Sequence, residues 1–147
     1  MKLVEILAVV SIIGILLGVM LWPFSNFRDE KLLDGAAEDI LTLLDEARTR
    51  TLSSDGASPY GVYFESGRIT LFKGAVFNAA APDNKEVSIH NRLTISGITL
   101  AGGVVSVVFK RLTGATDQSG AVTVSLATDN SRQRVITVSA AGSAGIK

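Results

Sequence analysis

The chain is 147 residues long, balances 14 basic against 14 acidic side chains, and contains no cysteine. A disulfide framework and a thiolate metal site are therefore excluded, and packing alone must stabilise the folded part. The 47% hydrophobic content is ordinary for a soluble domain, but it is unevenly spread: residues 1–23 hold 17 apolar positions, and the other 124 residues are about 42% apolar. That remainder suffices for one small domain with a real core.

Ile6 through Trp22 reads ILAVVSIIGILLGVMLW, 17 residues with Ser11 as the only hydroxyl and no charge. As a helix at ~1.5 Å rise this run spans about 26 Å, close to the ~30 Å hydrocarbon thickness of a bilayer. Glu5 stands directly before it and is the last charge before Arg28. Three explanations compete for that carboxylate. A cleaved secretory signal is opposed by Glu5 itself and by Met20-Leu21-Trp22-Pro23, a poor cut site. A plain single-pass anchor tolerates an acid in its first turn, where the helix dipole favours negative charge. The third makes Glu5 a counter-ion for another chain's N-terminal amine, which is mostly cationic at neutral pH.

The order Leu3-Val4-Glu5-Ile6-Leu7, followed by Val9-Val10-Ser11-Ile12-Ile13-Gly14-Ile15-Leu16, resembles the start of class III prepilins, the type IV pilins and the pseudopilins of type II secretion. The resemblance runs from Leu3 to about Pro23. It implies a leader removed by prepilin peptidase, N-methylation of the new first residue (here Met1), and an inner-membrane assembly platform that extracts the subunit into a filament. It also implies that Glu5 neutralises a neighbour's N-terminal amine during assembly. Met1-Lys2 stands where Gly-Phe-Thr is typical, and no leader is visible; Met1 is read either as the processed residue or as a start codon.

Further on, Leu33, Ala37, Ile40, Leu44 and Ala47 recur at steps of four and three, with Ala36, Leu41 and Leu43 widening the stripe. Asp29, Asp34, Glu38, Asp45 and Arg48 make the polar back of an amphipathic helix. Glu46 and Arg50 form a correctly oriented i,i+4 pair, and Ser53-Ser54-Asp55-Gly56 with Pro59 ends the helix. The spacing predicts one helix over residues 2–53, bare on all sides in its outer half and packed on a globular head in its inner half. Two helices broken at Pro23 are the alternative. Pro23 removes an amide donor, and its ring clashes with the Val19 carbonyl. Gly14 and Gly18 weaken the same stretch and together form a close-approach pattern for membrane helices. The prepilin resemblance implies that the helix melts between Gly14 and Pro23 in the filament. Ser11 is expected to bond back to its own helix.

The rest reads as antiparallel β. Tyr60–Glu65 and Arg68–Lys73 flank Ser66-Gly67, a tight hairpin signal. Glu86–His90 and Leu93–Ser96 alternate in period two. Val104–Phe109 is a dense β-branched run, expected to be a central strand. Val122–Leu126 and Arg134–Ser139 are joined through Asp129-Asn130-Ser131. Residues 75–84 lack a period and carry Pro82-Asp83-Asn84, a surface loop. The fold class is thus α+β, a long spine helix on an antiparallel sheet head. The expected division is a membrane or filament-core segment at 1–23, an amphipathic half at 24–53 and a β head at 54–147. Gly61-Val-Tyr-Phe, Ile69-Thr-Leu-Phe, the Val107-Val-Phe strand and the closing Arg134–Ile146 segment resemble the group of general secretion pathway protein H and fimbrial-biogenesis protein T.

No catalytic chemistry is legible. His90 stands without metal-ligand spacing, the Asx-rich turns lack the oxygen ladder of a calcium loop, and no serine lies in a nucleophile motif. Neither an enzyme, a metal site nor a cofactor is expected. Charge is divided, with a net of −3 over residues 24–53 and +3 over 54–147. Opposite charges on spine and head suit docking between neighbouring subunits, and Arg132, Arg134 and Lys147 form a small basic cluster with DNA as a weakly supported ligand. The expectation is a structural subunit of a type IV pilus-like filament, held by one membrane span in the inner membrane before assembly and placed in an extracellular pilus, with roles such as adhesion, afterwards. A type II secretion pseudopilin of the H kind, in a periplasmic pseudopilus, and a DNA-capturing minor pilin of a competence filament are the alternatives.

Overall fold

The first element is long despite Gly14, Gly18 and Pro23: α1 is a 51-residue helix, Lys2–Leu52. The computed structural model describes the backbone of residues 2–147 and the side chains of residues 2–19 and 27–147. Met1 and the ring of Pro23, with any kink it causes, lie outside the described residues. Ser54, Gly56 and Ala57 all take positive φ, a left-handed backbone that cannot continue a right-handed helix. Thr51 seals this end: its hydroxyl donates to the Ala47 carbonyl at 2.7 Å and accepts the Tyr60 amide at 2.9 Å, tying the helix to the first strand.

The chain divides into two compact units, Met1–Lys31 and Leu32–Lys147. In the first, the apolar segment Lys2–Val19 is long enough to cross a membrane, and none of it is buried.

The second unit contains the rest of α1 and eight strands: β1 (Tyr60–Glu65), β2 (Arg68–Lys73), β3 (Lys85–Ser88), β4 (Leu93–Leu100), β5 (Ser106–Val108), β6 (Gly120–Leu126), β7 (Asp129–Val138) and β8 (Ala144–Ile146). They form two four-stranded antiparallel sheets, β3-β2-β1-β5 and β4-β6-β7-β8, rather than one. Inward residues of both sheets, among them Val62, Ile69, Phe109, Val122 and Ile136, meet Leu33, Ala37, Ile40 and Leu44 of α1 in one core. The helical stripe read from the sequence is thus the buried face. The β1–β2 turn also clasps the second sheet, because the Ser66 carbonyl accepts the Ile95 amide at 3.0 Å.

The hairpin at Ser66-Gly67 pairs Glu65 with Arg68 and Tyr60 with Lys73, as its turn signal requires. Gly61 is needed in β1: a Cβ there would lie 2.7 Å from both the Phe72 ring and the Val107 carbonyl oxygen. The loop over residues 75–84 is pinned by Phe77, whose ring stacks on Tyr63 at 4.0 Å and meets Phe72 edge-on at 5.4 Å.

Two expectations are corrected, and one strand is new. Val104–Phe109 is not a central strand; the strand itself covers Ser106–Val108, and β5 is the edge of its sheet. Burial explains the misreading: Val107 and Phe109 fill the core, whereas Val104 and Val105 are exposed behind the positive-φ pair Gly102-Gly103. The β6–β7 hairpin turns at Ala127-Thr128, and Asp129-Asn130-Ser131 lies within β7 at a register shift. There Asp129 Oδ1 accepts from the Ser131 amide and hydroxyl. β8 is an added strand, built from an Ala-Gly-rich segment that has no period of its own.

Candidate assembly surface

Residues 3–19 of the stem present bulky aliphatic side chains on every side, Leu3, Ile6, Val10, Ile13 and Leu17 among them, all exposed. Hydration of such a surface is costly, so it must be covered by lipid or by other apolar helices. Within it the polar atoms are few and local. Ser11 donates to the Leu7 carbonyl at 2.7 Å, the back-bond expected of a hydroxyl inside a helix. Glu5 sits in the first turn, where unsatisfied amides favour negative charge. With Lys2, Ile6, Val9 and Val10 it lines a shallow depression of about 310 Å³. Among the described residues no hydrogen bond or ion pair engages the Glu5 carboxylate. Gly14 and Gly18 stand one turn apart on the same helix, and a Cβ at either would meet nothing within 4 Å. The single chain therefore gives neither glycine a packing reason.

On the head, charges that read as solvated are in part engaged. Glu46 pairs with Arg50 at 2.6 Å as its spacing predicts, and also with Lys85 of β3 at 2.7 Å. The Lys85 hydrogen bond is the main reason its carboxyl titrates below the usual glutamate range; partial burial opposes the shift and Arg50 adds to it. Asp34, placed on the polar back of the helix, accepts from Arg134 Nε of β7 at 2.9 Å. Arg48, placed on the same back, donates from Nε to the Gly114 carbonyl at 3.2 Å. Nothing in the local sequence signals these contacts, since the partners lie 39, 100 and 66 residues away. Part of the charge opposition between spine and head is therefore spent inside the subunit.

The basic cluster is assembled only loosely. Arg134 lies near Lys147, whose amide bonds to the Val135 carbonyl at 2.9 Å, but its guanidinium is held by Asp34 and by the Gln133 carbonyl. Arg132 is half-buried in the β7 register shift. His90, past the end of β3, uses Nδ1 to accept the Arg92 amide at 3.2 Å.

The fold is shared with solved proteins. Two crystal structures of the type IV minor pilin FimU from Pseudomonas aeruginosa match the chain. One, in space group P65, has a TM-score of 0.60 and 18% identity over 78% of this chain and 92% of the crystallised one. The other, in space group P21, has a TM-score of 0.61 and 17% identity over 82% and 92%. No curated protein sequence matches significantly. The profile of the type II transport protein GspH family matches residues 36–142, from inside α1 to the turn before β8. The GspH match supports a pseudopilin-like subunit, a component of multi-subunit filaments. The chain belongs to the GspH family of type II transport proteins.

Proposed function

We propose that the chain waits in the inner membrane as a single-pass protein and is drawn into a helical filament whose centre is a bundle of these stems. Prepilin peptidase and an inner-membrane platform are the processing and assembly partners, and Met1 or its equivalent is the processed end. Glu5 neutralises the N-terminal amine of the adjacent subunit and so sets the axial register. Gly14 and Gly18 are the points where neighbouring helices approach closely, and Pro23 marks the end of the segment that loosens on assembly. The observation that carries the reading is the Glu5 carboxylate, without a partner among the described residues, beside an exposed apolar helix over residues 3–19. A carboxylate kept at the lipid boundary is costly, and a cationic amine at the same depth offsets that cost.

The test is Glu5→Ala in the full chain. Membrane fractionation should show normal insertion, since removing a charge does not hinder a span. Shearing of the cells should release at least about tenfold fewer filaments containing the variant, the scale of losing a desolvated charge pair at an interface. Filaments of undiminished yield would sink the pairing. The head gives the filament its outer surface and its choice of neighbours. Whether that filament is a pilus or a secretion pseudopilus is decided by where the assembled subunit is found.

A further inference from the structure

The bulky apolar side chains that the head exposes are concentrated in one region. Six are exposed among the described residues of the Leu32–Lys147 unit; Val76, Val104, Val105 and Leu112 are four of them, and Val76 and Leu112 are the most open, at 81% and 84%. The three valines line a groove of about 570 Å³ together with Tyr63, Ser106 and Gln118. A neighbouring hollow of about 370 Å³, bordered by Lys110 and Arg111, shares Ala75, Val108 and Gln118 with it. Leu112 follows Arg111 directly.

Ser106 and Val108 of β5, the edge strand of its sheet, line the groove. The Phe64 amide bonds to the Val105 carbonyl and the Phe109 amide to the Tyr60 carbonyl, so odd-numbered residues of this strand face β1. By antiparallel alternation, Ser106 and Val108 turn their backbone groups outward. The Val108 amide is capped by the Gln118 side chain at 3.1 Å; the Ser106 amide and carbonyl have no partner among the described residues. Sheet edges are usually guarded by charges, whereas this one is flanked by valines. The open Ser106 amide and carbonyl beside an apolar wall suit an extended peptide segment.

Two further observations describe the occupant. Arg111 is exposed and forms no ion pair with any described residue, so it offers a free cation in the adjoining hollow. Leu112 holds a left-handed backbone at φ 71°, a conformation costly for leucine. Its loop is fastened by Gly114 N to Lys110 O at 2.9 Å and Lys110 N to Ala115 O at 2.7 Å, and by Arg48 to Gly114. An apolar side chain held rigidly in water by a strained loop has the form of an interface anchor.

We propose that this groove receives an extended segment from the head of an adjacent filament subunit. The segment adds as a strand beside β5, lays apolar side chains against Val76 and Val104, brings a carboxylate to Arg111, and packs on Leu112. Filament packing holds neighbouring heads at high local concentration, so a short edge is enough, and a contact between unlike faces extends a helical assembly without closing it. The inference rests on the filament reading above.

The test places the photocrosslinker p-benzoylphenylalanine in place of Ser106, in the full chain, in cells that assemble it. A second variant carries it in place of Val104, in case a bulky group at Ser106 disturbs the strand, and Thr128 on the β6–β7 turn is the control. Sheared filaments are irradiated and adducts mapped by mass spectrometry. The expected adduct lies in an extended head segment of a filament subunit, is absent at position 128, and falls about tenfold with Leu112→Asp, the effect of losing an anchor side chain. Arg111→Glu should lower it as well. Filaments that contain the chain but give no adduct at either position, or adducts only to stem residues or to non-filament proteins, would overturn the docking and leave the filament reading standing. A chain that never enters sheared filaments would overturn both.

Discussion

Glu46 shows how one side chain changes meaning between sequence and structure. Its i,i+4 spacing to Arg50 promises a solvated helix pair worth a few tenths of a kcal/mol. Lys85 turns it into a bridge between α1 and β3. Because the folded carboxyl titrates below its ordinary value, the bridge contributes fully above the unfolded glutamate pKa and is lost as pH falls through the lowered one. Glu46→Gln should therefore reduce stability at pH 7 by about 0.5–1 kcal/mol. The deficit should narrow below the usual glutamate range and vanish in stronger acid. Urea midpoints followed by circular dichroism across pH would check this; a deficit that grows on acidification would show that the sign is wrong. Glycine speaks at the same scale. Gly142, at φ 83°, lies so close to the Gly114 carbonyl that a Cβ would come within 1.8 Å of its oxygen. No pattern in the segment around Gly142 discloses that approach.

Among the elements, the helix and the first hairpin were legible because their signals are local. The spacing of Leu33, Ala37, Ile40 and Leu44 describes a face wherever that face is buried, and Ser66-Gly67 fixes the β1–β2 register without help from the rest of the chain. Ile40→Ala should cost about 2–4 kcal/mol, as large-to-small changes at fully buried sites do, and Glu38→Ala on the exposed side under about 0.5 kcal/mol. Equal losses in chemical unfolding of the full chain would contradict the assigned face. The edge position of β5 was illegible because a β-branched run reads alike with one neighbour or two. β8 was hidden because it owes its extended form to pairing with β7 and not to its own residues. The left-handed Leu112 is set by the hydrogen bonds of its loop, which no local motif announces.

For the molecule as a whole, the stem was the clearest feature of the sequence, since length, apolarity and a single acid need no tertiary context. The candidate assembly residues divide along the same line: Glu5, Gly14 and Gly18 could be named from order alone, whereas the groove beside β5 depends on how that strand, the loop at residues 75–77 and Gln118 come together. Gly14→Ala separates packing within the chain from packing between chains. A methyl there meets nothing in the single molecule and adds helix propensity, so circular dichroism in detergent should show helicity unchanged or slightly higher. Filament yield on shearing should fall if the glycine marks a close approach; an unaltered yield would remove Gly14 from the interface.

Glu46 and Asp34 also have a mechanical meaning. They sit 12 positions apart on α1, roughly 18 Å along the axis, and each is fastened to a different sheet, through Lys85 and Arg134. Two moorings so far apart oppose torque as well as traction. A load applied along α1 within the head is met at two stations, and the helix is hindered from swivelling in its socket.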